Sequence, residues 1–329
     1  MTSDTGFQAP IHPGHDPIPL RFTAIEGEWV SQALPDLAIA GAERAEDGRP
    51  DARTGYYRLT LADGRQLFAK VKAGERAERE RQAAALSSQL HRLGAATLAA
   101  ERIQSFRQDG LSLFLYPWVA PAFYDGSLAG LTSLGEALAL LHGRMRALPP
   151  DFAPRRHLLD LWQDRLGRVA QASFADDYRR ALGGAGEAFA RGESQIAHND
   201  IHRGNVLFSG SKVVAFIDFE DAVATGSSPL VDIAGSLERF CLSPEPGEEK
   251  VRALLAGYAR RDEAGGVTSA SGLVDVGLCR CYHALAILEF SKAPENPAWV
   301  AERTKFTTLL DRWSEWGKVI DAALRGLGV

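Results

Sequence analysis

The sequence predicts an α+β protein with two lobes: a small lobe formed by an antiparallel sheet with one helix, and a larger lobe that is mainly helical. Two observations support this order. Strand-like runs surround one helical stretch between Ala38 and Val119, and apolar residues at helical spacing dominate from Leu128 onward. The length of 329 residues also suits more than one modest core. The expected divisions are a loose tail at residues 1–19, a small N-terminal lobe at 20–118 and a larger C-terminal lobe at 119–329.

The small lobe begins with a predicted β-hairpin. Residues with strand propensity fill Tyr56–Leu61 and Arg65–Val71, and the Asp63-Gly64 pair between them is typical of tight hairpin turns. A further strand is expected in the region that starts near Ala38. These runs are the first strands of the predicted antiparallel sheet.

One helix and two more strands complete the small lobe. Glu75–Leu93 is dense in Glu, Arg, Ala, Gln and Leu, which favour a helix. The strand-like runs Ala99–Phe106 and Leu111–Tyr116 follow, with a turn predicted at Gln108-Asp109-Gly110. The order of strands, helix and strands is typical of an α+β unit.

The larger lobe has one β insertion among its helices. Asn205–Ser209 and Val213–Phe219 have strand-like sequences, and Gly210 lies in the turn predicted between them. Apolar residues recur at helical spacing in several other segments. These predicted helices are Leu131–Leu148, His157–Gln171, Ala175–Phe189, Leu230–Phe240 and Val276–Phe290.

The composition argues against several classes of protein. A net charge of -5 and a pI of about 5.9 leave no broad basic surface for nucleic acid. The three cysteines, Cys241, Cys279 and Cys281, are too sparse and odd in number for a disulfide framework, which favours a reducing compartment. No apolar run reaches the roughly 18 residues of a membrane span, and the first residues do not resemble a secretory signal. We therefore expect a cytoplasmic protein without nucleic-acid or membrane partners.

The segment Ile196–Asp221 carries the strongest functional signal. It contains Asp200, then Asn205 after the spacing Asp-x-x-x-x-Asn, and then Asp218 directly before a phenylalanine. The same residue types follow one another in the catalytic loop and metal-binding motif of protein kinases. The apolar run Val213–Ile217 predicts a buried strand that delivers Asp218 at its end.

Transfer of a phosphoryl group to an alcohol explains these residue types. A carboxylate must accept the hydroxyl proton and aim the oxygen, a role that suits Asp200. Mg²⁺ prefers oxygen ligands and offsets the charge of ATP, and Asn205 and Asp218 offer an amide oxygen and a carboxylate. His202 lies two residues after the base, where it could contact the moving phosphoryl group, and Arg203 is an alternative for that contact.

The same segment resembles the aminoglycoside phosphotransferase and choline kinase superfamily of small-molecule kinases. Typical members read His-Gly-Asp-Leu-His-x-x-Asn and later Ile-Asp-Trp/Phe-Glu, and this chain reads His-Asn-Asp-Ile-His-Arg-Gly-Asn from His198 and Ile-Asp-Phe-Glu from Ile217. Leu134–His142 and Pro229–Ala234 are similar to two further segments, although the first Asp of the superfamily's Asp-x-x-Asp-Leu-Ala pattern is absent. The resemblance is specific within residues 196–234. It implies a protein-kinase-like fold and a small-molecule kinase that uses ATP and Mg²⁺.

For the small lobe, the resemblance implies a lysine that holds the α- and β-phosphates of the nucleotide. Lys70 lies on the expected strand with apolar neighbours on both sides, and Lys72 is the alternative. That lysine normally pairs with a glutamate of the following helix. Glu75, Glu78 and Glu80 are the candidates, and Glu80 is preferred.

The resemblance also implies where the rest of the nucleotide binds. The adenine is expected beside the connection between the lobes, at Trp118 and Val119, where backbone groups can bind its edge. The turn that covers the phosphates is expected near Arg53-Thr54-Gly55, which lacks a full Gly-x-Gly-x-x-Gly pattern.

The acceptor is expected between the catalytic loop and the C-terminal helices. Glu220, Asp221 and Glu238 lie in this region with several aromatic residues, a combination that suits a cationic amine. An equally weighted alternative is that the aromatic residues belong to the core and Asp232 is a structural brace. Amino-alcohols, aminoglycosides, homoserine, thiamine and sugar alcohols all stay open as acceptors.

Two other functions compete with small-molecule phosphorylation. A kinase-fold protein can bind a nucleotide or a partner without transfer, but this chain retains Lys70, Asp200, Asn205 and Asp218. A protein-substrate kinase needs a platform for a peptide. The Pro229 segment follows Asp218 too closely to leave a long one.

Overall fold

The first part of the chain forms a six-stranded antiparallel sheet. The computed structural model describes residues 21–26, 28–46, 53–106, 110–120, 122–149, 152, 156–191, 195–242, 247–261, 270–290 and 297–327. The strands are β1 (Phe22–Ala24), β2 (Ile39–Ala45), β3 (Gly55–Leu61), β4 (Gln66–Ala73), β5 (Arg102–Phe106) and β6 (Leu111–Pro117). Their spatial order is β1-β2-β3-β4-β6-β5, with every neighbouring pair antiparallel.

The predicted hairpin is confirmed by the pairing of β3 with β4. Gly64 has a φ of 83°, a left-handed conformation that glycine adopts without a steric penalty. Its N–H donates to the carbonyl of Leu61, and the N–H of Leu61 donates to the carbonyl of Arg65. The strand expected near Ala38 is β2, which pairs with the other edge of β3.

Helices cover both faces of this sheet. The short helix α1 (Glu28–Ala33) packs Val30 against the face that carries Leu67, Ala69 and Val71 of β4. The long helix α2 (Gly74–Arg92) follows β4 directly and lies on the opposite face. Because side chains alternate along a strand, Lys70 and Lys72 both point to the α2 face.

The larger part of the chain is helical around one β-hairpin, so the predicted α+β fold class is confirmed. The helices are α3 (Leu128–Arg146), α4 (Leu158–Arg168), α5 (Ala175–Ala190), α6 (Glu220–Ala224), α7 (Pro229–Ser236), α8 (Glu248–Ala259), α9 (Ala270–Phe290), α10 (Pro297–Asp311) and α11 (Trp313–Arg325). The hairpin consists of β7 (Val206–Ser209) and β8 (Lys212–Phe216). None of the helices in the described part of the chain is long and apolar enough to cross a membrane.

The β-hairpin connects the two parts through a small apolar cluster. Leu207 of β7 and Ala215 of β8 pack with Phe68 and Phe114 of the six-stranded sheet. A larger core lies among the helices and includes fully buried side chains such as Trp162 and Trp316. The hairpin is therefore held from both sides, which positions the loops at its ends.

Several predicted element boundaries were wrong. The strand predicted at Val213–Phe219 ends at Phe216, because Asp218 takes a left-handed φ of 66° that a strand cannot continue through. The strand predicted from Ala99 begins at Arg102. The helix predicted at Leu230–Phe240 is α7 followed by a π-helical turn over Leu237–Cys241. The predicted tail at 1–19 and the turn residues Gln108 and Asp109 lie outside the described residues.

Helices α3 and α8 cross in backbone contact at two glycines. A Cβ atom on Gly135 would lie 2.1 Å from the carbonyl oxygen of Leu254 and 2.5 Å from the nitrogen of Tyr258. A Cβ on Gly257 would lie 2.1 Å from the carbonyl oxygen of Thr132. The obstructing atoms belong to backbone, so they cannot move aside as a side chain does.

Replacement of Gly135 by alanine should therefore lower the free energy of unfolding by about 3 kcal/mol, because the two helices must separate to admit the methyl group. Urea denaturation measures this change. Gly143→Ala on the same helix is the matched control, since no atom lies within 4 Å of its Cβ position. Equal stability of the two variants would contradict the close crossing.

Candidate active site

The loop between α5 and β7 carries the predicted base. Asp200 is half-buried in this loop. The side-chain amide of Asn205 donates to the backbone carbonyl of Asp200 and to Asp200 Oδ2, each at 3.0 Å. Because these two bonds use the Nδ2 of Asn205, its amide oxygen is the atom left for another partner. The amide oxygen accepts no hydrogen bond from the described residues. The structure thus brings Asp200 and Asn205 into direct contact.

His202 contacts Asp200 through a defined ring nitrogen. The backbone N–H of Gly204 donates to His202 Nδ1 at 3.0 Å, so the proton of the neutral ring lies on Nε2. That Nε2 lies 3.4 Å from Asp200 Oδ2. Burial tends to raise the pKa of Asp200, but the hydrogen bond from His202 and the charge of Arg239 hold that pKa below its usual value. Asp200 is therefore an ionised carboxylate at neutral pH.

The buried carboxylate of Asp232 holds the loop in place. Its two oxygens accept the backbone N–H groups of His198 and Asn199, each at 2.7 Å. The same carboxylate lies 3.0 Å from His142 Nε2, and His142 Nδ1 bonds the hydroxyl of Tyr258 at 2.9 Å. Burial would raise the pKa of Asp232, but these hydrogen bonds and the histidines lower it. The fully buried Asp232 therefore acts as the brace that one interpretation of the sequence predicted.

Asn199 holds a backbone conformation that few residues adopt. Its φ is 66°, and its side chain accepts from Ser227 Oγ at 2.5 Å and donates to the carbonyl of Thr225 at 2.8 Å. A short polar side chain that bonds locally is one of the few, besides glycine, that tolerates this region. No role was predicted for Asn199 from the sequence, although it lies directly before Asp200.

His198 and Asp218 join the loop to the end of β8. His198 Nε2 donates to the carbonyl of Ile217 at 2.9 Å, and its ring lies 4.6 Å from that of Phe219. Asp218 follows with its left-handed backbone. His198 thus holds Ile217 and Phe219, the two buried residues on either side of Asp218.

Lys70 meets two carboxylates on the inner face of the six-stranded sheet. Its Nζ lies 3.1 Å from Glu80 Oε2 on α2 and 3.4 Å from Asp218 Oδ1. Tyr116 also donates to Glu80, at 2.7 Å from Oε1. Burial alone would lower the pKa of Lys70, but the charges of Asp218 and Glu80 raise it well above its usual value. Among the three glutamates considered from the sequence, Glu80 is thus the one paired with Lys70.

Lys72, the alternative lysine, has a different partner. Its Nζ lies 2.9 Å from Glu220 Oε1. Oxygens of Glu220, Glu80 and Asp218 lie within 4.8 Å of one another, which is a donor set that a hard divalent cation could bind. Glu220, expected at the acceptor, therefore lies beside the two lysines of β4.

A cleft of about 270 Å³ opens beside Asp200. Asp221 and Glu238, the other two residues expected at the acceptor, line it. Asp221 is exposed at the cleft, whereas the buried Glu238 is surrounded by basic side chains. The remaining walls come from α4, α9 and α10, including Trp162, His283 and Phe306.

The connection after β6 contains the residues expected near the adenine. The backbone N–H of Trp118 donates to the carbonyl of Gln66 at 3.3 Å, so this donor is already used. The indole packs edge-on against Phe22 with 5.8 Å between ring centroids. Val119 is partly buried in the same apolar cluster. Gly55 of the predicted phosphate turn begins β3 with a φ of 146°.

Comparison with known families decides the identity of this chain. The sequence model of the phosphotransferase enzyme family, which includes the aminoglycoside phosphotransferases, matches residues 50–264, well over half of the chain. The chain belongs to this family. That membership confirms both the resemblance stated from the motifs and the predicted enzyme class, a small-molecule phosphotransferase.

Solved structures of antibiotic phosphotransferases share the fold of this phosphotransferase. The spectinomycin phosphotransferase bound to ADP and spectinomycin has a TM-score of 0.61 at 14% identity, covering 92% of this chain and 98% of that one. The amicoumacin kinase bound to AMP-PNP, Ca²⁺ and Ami has a TM-score of 0.64 at 14% identity, covering 88% and 94%. A macrolide phosphotransferase from Brachybacterium faecium has a TM-score of 0.57 at 17% identity, covering 84% and 97%. Comparison with curated proteins gave no match.

The phosphotransferase site includes contacts that the sequence analysis missed. No partner was predicted for Lys72. The structure pairs it with Glu220, which lies 148 residues further along the chain. The hydrogen bond by which Tyr116 holds Glu80 was also not predicted. The basic residues Arg239 and Arg280 in the cleft were not predicted either. Only His142, at the end of the Leu134–His142 motif, carried a signal that pointed to the brace.

Proposed function

We propose that this phosphotransferase uses ATP and Mg²⁺ to phosphorylate a hydroxyl group of a small molecule. The observation that carries the proposal is the meeting of Lys70, Glu80 and Asp218 at ion-pair distances, beside the loop of Asp200 and Asn205. Lys70 and Asp218 are 148 residues apart in sequence. Because residues so far apart in sequence meet at one place, we infer that they act together on the nucleotide and the acceptor.

Asp200 is proposed as the group that accepts the proton of the acceptor hydroxyl. Its lowered pKa keeps the carboxylate ionised, and one face of it opens to the cleft. Asn205 and the Nε2–H of His202 both contact Oδ2, which leaves Oδ1 for the hydroxyl. His202 then acts by orienting Asp200. Contact of His202 with the transferred group stays a prediction.

Asp218 and the amide oxygen of Asn205 are proposed as the Mg²⁺ ligands. The fit is chemical: both are oxygen donors, and the hydrogen bonds of Asn205 to Asp200 spare its amide oxygen. Glu220 adds a further carboxylate nearby. When bound, Mg²⁺ supplies positive charge that offsets the charge of the nucleotide phosphates.

Lys70 is proposed to bind the phosphates of the nucleotide, with Glu80 and Tyr116 holding the ammonium in position. The adenine is proposed to lie against Trp118 and Val119. The N–H of Trp118 is already bonded to Gln66, so the backbone of Val119 is the better candidate for the base edge.

Cys241, Cys279 and Cys281 are buried without disulfides, which supports a cytoplasmic location.

Acceptor-dependent release of ADP tests the proposed function. The wild-type protein is incubated with Mg·ATP and a panel of amino-alcohols, aminoglycosides, hydroxy acids and sugars. We expect turnover with one class of acceptor, loss of turnover with excess EDTA, and loss in Asp218→Asn. Nucleotide binding without turnover across the panel would favour the alternative, a kinase-fold binding protein. Absence of nucleotide binding would contradict the proposal.

The partner of Lys70 provides a separate prediction. Glu80→Gln should raise the KM for ATP by about tenfold, because the ammonium loses a charged hydrogen bond that positions it. Steady-state kinetics with varied ATP measures the change. Glu78→Gln is the matched control, since Glu78 lies on the same helix and is exposed, contacting Arg81 at 3.5 Å. A tenfold rise in both variants, or in neither, would contradict the role of Glu80.

A further inference from the structure

Five charged side chains form a cluster at the cleft beside Asp200, and Glu238, Arg239 and Arg280 of this cluster line the cleft. Glu238 Oε1 lies 3.0 Å from Arg239 Nε and 3.8 Å from Lys305 Nζ, and Glu238 Oε2 lies 3.9 Å from Arg280 Nε. Glu302 lies 2.7 Å from Lys305 and 3.6 Å from Arg239. The five residues come from the π-helical turn, α9 and α10.

This cluster has more positive than negative charge. Three cations, Arg239, Arg280 and Lys305, share the carboxylates of Glu238 and Glu302. Burial, followed by the neighbouring charge of Arg239, lowers the pKa of Lys305, and the charges of Glu238 and Glu302 offset this only in part. Among the described residues, each cation of the cluster contacts a carboxylate, but three cations share two carboxylates, so the formal charge of the cluster is positive.

The two arginines reach the surface of the cleft. Both Arg239 and Arg280 line it, with 19% and 15% of their side chains exposed, whereas Glu238 and Lys305 lie deeper at 6% each. Within the described part of the chain, the Nε atoms of both arginines lack an acceptor with hydrogen-bond geometry. Gly235 leaves room for this arrangement, because a Cβ there would lie 2.8 Å from an outer nitrogen of Arg280.

Asp200 faces the same cleft but does not pair with these arginines. Burial would lower the pKa of Arg239, but the charges of Glu238, Glu302 and then Asp200 raise it. No ion pair joins the side chains of Asp200 and Arg239 in the described structure. The cleft is therefore lined both by the carboxylates of Asp200 and Asp221 and by the guanidinium groups of Arg239 and Arg280. Its volume of about 270 Å³ suits an acceptor smaller than a typical drug-sized ligand.

We propose that the acceptor of this phosphotransferase carries an oxyanion, a carboxylate or a phosphate, that binds Arg239 and Arg280 while its hydroxyl faces Asp200. This inference rests on the proposed function and specifies the acceptor class. It differs from the cationic amine expected from the sequence. Glu238, one of the carboxylates on which that expectation relied, lies among three cations and offers a cationic ligand little additional attraction. Planar guanidinium groups are well suited to bind oxyanions through paired hydrogen bonds.

Matched acceptors test the inference. D-glycerate and glycerol 3-phosphate are compared with glycerol, and L-homoserine is compared with 3-amino-1-propanol, which lacks the carboxylate. We expect kcat/KM to be at least tenfold higher for the oxyanion-bearing member of a pair that is turned over. The two glycerol derivatives distinguish a carboxylate from a phosphate. Preference for the neutral or cationic member would overturn the inference and leave the proposed function intact.

Variants of one arginine test the contact itself. Arg280→Gln should weaken binding of D-glycerate or glycerol 3-phosphate at least tenfold, measured by calorimetry without nucleotide. Arg280→Lys should restore part of the lost affinity. Arg303→Gln on α10 is the control, because Arg303 is exposed and pairs with Glu289. Circular dichroism checks that each variant is folded. Unchanged binding in folded Arg280→Gln would overturn the inference. Arg280-dependent binding without any transfer would support it while contradicting the proposed function.

Discussion

Asp200→Asn is expected to lower kcat by about 10²- to 10⁴-fold, the range found when a general base is removed. The amide has nearly the same shape as the carboxylate, but it cannot accept the hydroxyl proton. Because Lys70, the proposed phosphate-binding residue, pairs with Glu80 and Asp218, the KM for ATP should change little. Initial rates of ADP release at saturating acceptor measure the effect.

A surface aspartate gives the matched control for Asp200. Asp164 on α4 is exposed and pairs with Arg156, so Asp164→Asn should retain wild-type kinetics. A fall of less than tenfold in kcat of Asp200→Asn would contradict the role of Asp200 as base. A rise in the KM for ATP with unchanged kcat would instead indicate that Asp200 serves nucleotide binding.

Asp232→Ala is expected to lower the free energy of unfolding by about 3–5 kcal/mol. The substitution removes the acceptor of the His198 and Asn199 N–H groups and the partner of His142, all within the interior. Urea denaturation measures the loss. Asp321→Ala on the surface of α11, where Asp321 pairs with Arg325, should change stability by less than about 1 kcal/mol.

The dependence of stability on pH gives a second measurement on Asp232. The pKa of Asp232 is lower in the folded protein than in the unfolded chain, so its contribution to stability is present above a pH of about 4. That contribution is lost as the pH falls further and the carboxylate is protonated. The free energy of unfolding of Asp232→Ala should therefore vary less with pH in this acidic range. Identical pH profiles for the variant and the wild type would contradict the brace.

Local patterns determined the fold class and the order of the catalytic residues. The Asp63-Gly64 pair predicted the hairpin because its turn requires a positive φ, which Gly64 adopts. The spacing Asp-x-x-x-x-Asn pointed to Asp200 and Asn205 as site residues because it matches the catalytic loop of protein kinases, and the structure brings the two side chains into contact. The sequence offered Lys70 and Lys72 as alternatives, and both lie on one face of β4, since side chains repeat every second residue along a strand.

Only the tertiary structure decided which partners these residues have. Glu75, Glu78 and Glu80 all lie on α2 and are chemically identical. The orientation of α2 against β4 is what pairs Glu80 with Lys70. Glu238 is an ordinary acidic residue in the sequence, but the approach of α9 and α10 surrounds it with Arg239, Arg280 and Lys305. Spacing along the chain determines contacts within one turn, hairpin or loop. Contacts between distant segments depend on how helices and sheets pack, and the charge of the acceptor cleft is a property of that packing.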